Sequence, residues 1–338
     1  MELYAAIDLH SNNSMLVVLD EDDHVILERR LKNDLERIRL ALAPYRESIR
    51  GIAVESTYNW YWLVDGLMSE GYPLHLVNTA AVTQYEGLKY SSDQHDARWL
   101  AHLLRLGILP EGYIYPKEVR AVRDLLRKRG QLVRTRTTQI LSIQNLFTRN
   151  LGDQVSGNDI KRWTTEHIET LDLLPAQRLA INANLAVMQC LDEQIAMLER
   201  AILAQARLRQ DFQSLLTVSG IGKILALTIA LETGDIGRFA TVGDFASYCR
   251  CVGSVRLSNG KKKGVGNAKN GNKHLAWAMI EAANFAVRYD PAIKRFYQRK
   301  KAQVHGVVAI KSVAHKLARA CYHVMREGQP FDVTRAFA

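Results

Sequence analysis

Between residues 3 and 77 the chain alternates short apolar runs with one-sided helical stretches, and their order leaves few folds open. Residues 3–8, 15–19 and 24–31 are β-like, separated by Ser-Asn-Asn and Asp-Glu-Asp-Asp, both turn-forming. Residues 35–42 carry apolar side chains at helical spacing, 51–54 are β-like, 60–68 helical, and 73–77 form a last strand. Three strands, helix, strand, helix, strand is the RNase H-like order. The expected fold class is α/β plus α: an RNase H-like N-terminal domain, a long helical or coiled-coil middle and a mostly helical C-terminal part.

Carboxylates fall at telling places in this plan. Asp8 ends the first strand and Glu55 the fourth. In an RNase H-like sheet those strands are parallel neighbours, so both acids reach the edge where open α/β sheets place their sites. Asp93 and Asp96 are three residues apart in a helix running through residue 104, so they share a face. Hard oxygen donors of this kind suit Mg²⁺, and a pair of ions about 3.5–4 Å apart clamps the attacking and leaving oxygens of a phosphodiester. Each acid also has an ordinary explanation, as a turn starter (Asp8), a residue near a helix start (Glu55) or a helix cap (Asp93, Asp96). Only their joint placement favours a metal site. Asp65, inside the 61–68 helix, fits a solvated face.

At 338 residues and 47% hydrophobic, the chain can bury a full core. Lys and Arg number 45 against 35 Asp and Glu, a net charge of +10 that attracts polyanions. No basic leader with an apolar stretch opens the sequence and no run of about 18 apolar residues occurs, so the expectation is a cytoplasmic protein without membrane contact. The four cysteines form no metal-binding spacing. The 117–149 segment reads as one long basic helix, with Arg120, Arg123, Arg127 and Arg134 near one face, able to track a phosphate backbone or simply to be solvated. A second long helix, 176–208, carries Met188, Leu191, Ile195, Leu198 and Ile202 as a short heptad seam, equally suited to intrachain packing and to dimerisation.

Further on, Gly220 and Gly222 permit a tight turn between helices whose backbone amides, with Lys223, can hold a phosphate as a helix-hairpin-helix does. The 249–275 segment has no acid, five glycines, and Arg250, Arg256, Lys261, Lys262, Lys263, Lys269 and Lys273, which reads as flexible basic backbone for phosphates. Ser258 lies within it as a candidate nucleophile. A free hydroxyl needs a base, a metal or positive surroundings to react, and the segment's one histidine lies well downstream, so a metal from the acidic domain is the expected activator. A turn residue is the plainer alternative.

Asp8, Glu55 and Asp93-x-x-Asp96-Ala, then Val-Ser-Gly-Ile-Gly, Gly-Asp-Ile-Gly-Arg-Phe at 234–239, Phe-Ala-Ser-Tyr at 245–248 and Ser258-Asn-Gly-Lys, resemble the DEDD-type insertion-sequence transposases of the IS one-ten family, akin to Piv-like DNA invertases. The resemblance spans nearly the whole chain. It implies a RuvC-like DEDD nuclease domain over 1–112, a basic helical linker over 113–208 and a C-terminal transposase domain over 209–338. It further implies Mg²⁺ on Asp8, Glu55, Asp93 and Asp96, attack by Ser258 to give a phosphoserine link, donor and target DNA as substrates, a structured guide (bridge) RNA, and a composite site in a homo-oligomer, dimer or tetramer. The chain departs from the family's Ser-Gly-Gly-Lys at Ser258-Asn-Gly-Lys, and Ser254, four residues away, is a second serine to consider. Two other functions compete: a Holliday-junction resolvase using the acids and a metal-activated water, and a non-catalytic nucleic-acid-binding protein. An actin-like ATPase is excluded by the lack of paired glycine-rich phosphate loops.

Overall fold

The inner strands of the first sheet are buried almost continuously, because both faces of the sheet are covered. In the computed structural model, which describes residues 1–82, 93–206, 210–253, 255–264 and 270–337, strands β1 (Leu3–Leu9), β2 (Asn13–Leu19), β3 (Val25–Lys32), β4 (Ile49–Glu55) and β5 (Leu74–Val77) form one sheet in the order β3-β2-β1-β4-β5. β1 pairs antiparallel with β2, and β2 with β3, while β4 runs parallel to both β1 and β5. Leu3, Ala5, Ile7 and Leu9 enter one core with helices α1 (Leu35–Leu42) and α2 (Tyr61–Ser69). Ala6 of β1 and Ala53 of β4 enter a second core with Ala97, Leu100, Ala101 and Leu103 of helix α3 (Asp93–Arg105). α1 starts on Asp34, whose side chain accepts from the Arg37 amide. These elements belong to a compact unit, Met1–Lys117; a second spans Glu118–Ala338.

Among its described residues the second unit is helical apart from one hairpin. Its elements are α4 (Lys117–Leu151), α5 (Gly157–Ile160), α6 (Thr165–Glu169), α7 (Pro175–Ala206), α8 (Gln210–Leu215), α9 (Lys223–Thr233), α10 (Val242–Tyr248), β6 (Arg256–Ser258), β7 (Lys261–Gly264), α11 (Lys273–Tyr289), α12 (Pro291–Lys301), α13 (Gly306–Glu327) and α14 (Val333–Phe337). The heptad seam of α7 packs within the chain. Met188 packs with Ile140 and Ile143 of α4, and Ile202 with Leu126. Arg129 pairs with Glu199, Arg136 with Asp192, and Ser142 with Asn184, so partners descend along α7 as they ascend along α4 and the helices run antiparallel. Among the described residues no helix is long and apolar enough to cross a membrane.

Candidate active site

Asp8 stands two residues beyond Ala6 on β1, and Glu55 two beyond Ala53 on β4, so both acids share the sheet face covered by α3. On α3, Asp93 and Asp96 continue N-terminally the stripe that buries Ala97, Leu100 and Ala101. The small side chains Ala6, Ala53, Ala97 and Ala101 let helix and sheet approach closely. Asp8, Glu55 and Asp96 consequently line one cleft of about 100 Å³ with Thr79, Val82, Trp99 and Leu100.

Crowding of like charges dominates the electrostatics. Asp8 is 4% exposed. Burial, a hydrogen bond with Asp8 and the charges of Asp8 and Asp96 push the Glu55 carboxyl up to about 8. Burial and the Asp8 charge raise Asp96 as well. Such a set gives up its proton and holds full charge only when cations compensate it, which is the behaviour of a metal site built from hard oxygens.

Asp93 sits differently from its helix neighbour. Its Oδ2 accepts from Arg30 at 2.6 Å and lies 3.3 Å from His10 Nε2, and the Arg30 hydrogen bond, with His10 nearby, holds its carboxyl below the ordinary range against the effect of burial. His10 Nε2 is also 3.3 Å from Asp8 Oδ2. Ligand atoms of Asp8, His10 and Asp93 all lie within 4.8 Å of one another, a set able to hold a metal ion. His10 is the residue that sequence reasoning missed. Its signal was present in Asp8-x-His10, where a spacing of two at a strand end keeps both side chains on one face.

In the second unit Ser258 ends β6 and is exposed. The segment around it, expected to be flexible backbone, is in part a hairpin: Ser258 pairs with Lys261 across Asn259 (φ 51°) and Gly260 (φ 71°). Asn-Gly with positive φ at both positions is the two-residue turn that matches strand twist, which explains Asn at this place. Lys261, Lys262 and Lys263 follow, all exposed. Arg256 begins β6, whereas Ser254 and Lys269 lie outside the described residues. The segment's far end is anchored: the Asn272 amide donates to Tyr248 O at 2.7 Å, and Arg250 donates to Gly271 O at 2.8 Å. Asn272 caps α11, and Lys273 opens that helix, exposed.

The basic face expected on α4 divides. Arg134 is exposed. Arg120, Arg123 and Arg127, read as able to track phosphates, turn inward instead: Arg120 is 3% exposed, and Arg123 and Arg127 donate to Glu232 of α9 at 3.2 and 2.6 Å. The reason is Glu232 itself, 1% exposed, a buried charge that must be paired; it also accepts from Asn272 Nδ2 at 2.8 Å. Burial would raise this carboxyl, but Arg127, Arg123 and Asn272 keep it below the ordinary range. The glycine turn divides too. Gly220 (φ +84°) faces α11, where a Cβ would meet Ala282 O at 2.3 Å, so this glycine serves helix packing. Gly222 and Lys223 are exposed at the start of α9.

Residues 5–150 match the DEDD-type IS110 transposase family, and residues 212–298 match the family described as Transposase IS116/IS110/IS902. A protein named as a family 20 transposase, from Pseudomonas aeruginosa, is 28% identical over 80% of this chain and 80% of its own length. The transposase for insertion sequence element IS1111A of Coxiella burnetii is 23% identical over 96% of this chain and 86% of its own. A protein named as transposase y4qE of Sinorhizobium fredii is 27% identical over 70% of this chain and 57% of its own length. With one family match on the acidic unit and the other on the segment that carries Ser258, this chain belongs to the IS110 family of insertion-sequence transposases.

Proposed function

We propose that this transposase cuts and rejoins donor and target DNA through Ser258, with Mg²⁺ held by Asp8, Glu55 and Asp96 and with Asp93 completing the set at the rim. The observation that carries the reading is the meeting of three carboxylates from β1, β4 and α3 in one cleft, with the Glu55 carboxyl raised to about 8. Oxygen donors fit Mg²⁺, which when bound neutralises charge on the oxygens of the reacting phosphate. The strand order and senses support an RNase H-like, RuvC-like domain. Ser258, exposed beside Lys261, Lys262 and Lys263, meets the phosphate backbone in cationic surroundings that favour loss of its proton. In the transfer a serine O–P bond forms as one sugar O–P bond breaks, and the serine proton ends on the released sugar oxygen; rejoining reverses both changes. Arg134, Lys223, Lys269 and Lys273 add backbone contacts. A structured guide RNA selects the sites by base pairing, as other guided systems do, and a dimer or tetramer of the chain does the work.

The test is a trapped adduct. Protein, Mg²⁺, its RNA and a branched DNA are incubated, denatured and digested, and peptide mass spectrometry is expected to find nucleotide on Ser258. Nucleotide on Ser254 overturns the assignment. Cleavage without any adduct overturns it in favour of a resolvase that uses activated water.

A further inference from the structure

Four cations meet between α12 and α13, and among the described residues no carboxylate forms an ion pair with them. The Phe296 ring lies 5.2 Å from Lys316 Nζ and 5.9 Å from Arg299 Cζ, so one residue from each helix brackets it. Lys300 and Arg319 stand exposed beside them. Burial and then the charges of Arg319, Arg299 and Lys300 hold the Lys316 ammonium below its ordinary range, and His315 is lowered by burial with Arg319 and Lys316. Among the described residues none of the four makes an ion pair; Lys316 donates to a backbone carbonyl, Ala336 O, at 2.8 Å. The nearby acids are engaged elsewhere, Glu327 with His323 and Asp332 with Thr334. A helix pair that keeps self-repelling cations on its surface forgoes stability unless a polyanion sits on it.

We propose that the α12–α13 face, through Arg299, Lys300, Lys316 and Arg319, is a docking surface for the phosphate backbone of duplex DNA, separate from the Ser258 hairpin. It rests on the proposed function only in taking DNA as the substrate. Charge complementarity selects a polyphosphate. A single strand is disfavoured because no Phe, Tyr or Trp side chain of α12 or α13 is exposed, whereas single-strand sites stack bases on exposed rings. Contacts made by these cations to phosphates position DNA without reading its sequence.

The protein is compared with R299A/K300A/R319A, whose wild-type side chains are exposed, on a duplex DNA of arbitrary sequence, an RNA duplex and a DNA single strand of equal length. On duplex DNA the slope of log affinity against log salt is expected to fall by about 2 to 3, from roughly 0.9 for each phosphate no longer neutralised. R299K/R319K is expected to retain most of the slope. An unchanged slope on duplex DNA refutes the surface. A fall confined to the RNA duplex, or equal on the single strand, refutes duplex DNA as its occupant. The slope is read from binding alone, with no cleavage or joining step, so failure of the serine chemistry leaves this result intact.

Discussion

Glu55 and Glu232 are shifted in opposite directions by what surrounds them. Glu55 is raised to about 8 by burial and by Asp8 and Asp96. Its folded-state proton affinity exceeds that of the unfolded chain, so its contribution to stability is complete below the ordinary carboxylate range and is lost as pH rises through about 8. Removing one charge relieves that loss. E55Q is expected to melt higher than wild type at pH 8 without divalent ions and to lose the stabilisation that Mg²⁺ gives wild type, both read by thermal denaturation. A wild-type melting temperature indifferent to Mg²⁺ counts against the metal site. Glu232 works the other way: lowered by Arg127, Arg123 and Asn272 against the effect of burial, it stabilises the fold above the ordinary carboxylate range, and this is lost as pH falls through its folded value. E232Q leaves two arginines facing no charge and is expected to cost about 3–5 kcal/mol in denaturant unfolding.

At the scale of elements, turns and close approaches decide more than propensity does. The Ser258 hairpin exists because Asn259 and Gly260 accept positive φ; Asn-Gly is legible in the sequence as a hairpin signal, although the surrounding glycines and lysines read as loop. Gly220 looks like a phosphate-binding glycine until α11 is in place, when the 2.3 Å approach to Ala282 O shows why a side chain has no room. G220A is expected to lose roughly 2 kcal/mol or more, from positive φ and the backbone clash together. Urea unfolding checks it, with G222A, which meets nothing within 4 Å, as the mild comparison. The α4 and α7 seam shows the same limit: a heptad pattern states that a helix has a partner, while the Arg129–Glu199 and Arg136–Asp192 pairs state which one.

For the whole molecule, the acids belong to one compact unit and Ser258 to the other. If the reaction centre draws acids from one protomer and serine from another, D8N and S258A proteins, each inactive alone, should regain strand joining when mixed before assembly. Joining assays on the mixture test this, and no recovery at any ratio argues that both groups come from the same chain. Salt should weaken DNA binding steeply, in keeping with a net charge of +10.

Asp8, Glu55 and Asp96 were legible as a set because strand period and helix period are local properties: once β1, β4 and α3 form, side-chain direction follows from counting residues. The hairpin turn at Asn259 and Gly260 follows from the same kind of local rule. What a given charge faces is not local. Asp93 and Asp96 look alike in the sequence, yet Arg30 from β3 claims one and the cleft takes the other; Arg123 and Arg127 look like solvent-facing cations until Glu232, more than a hundred residues away, draws them in. Sequence alone determined which elements form and which residues they offer, because backbone geometry repeats with a fixed period. Only tertiary structure decided which charges pair, because pairing depends on burial and on neighbours brought together by folding.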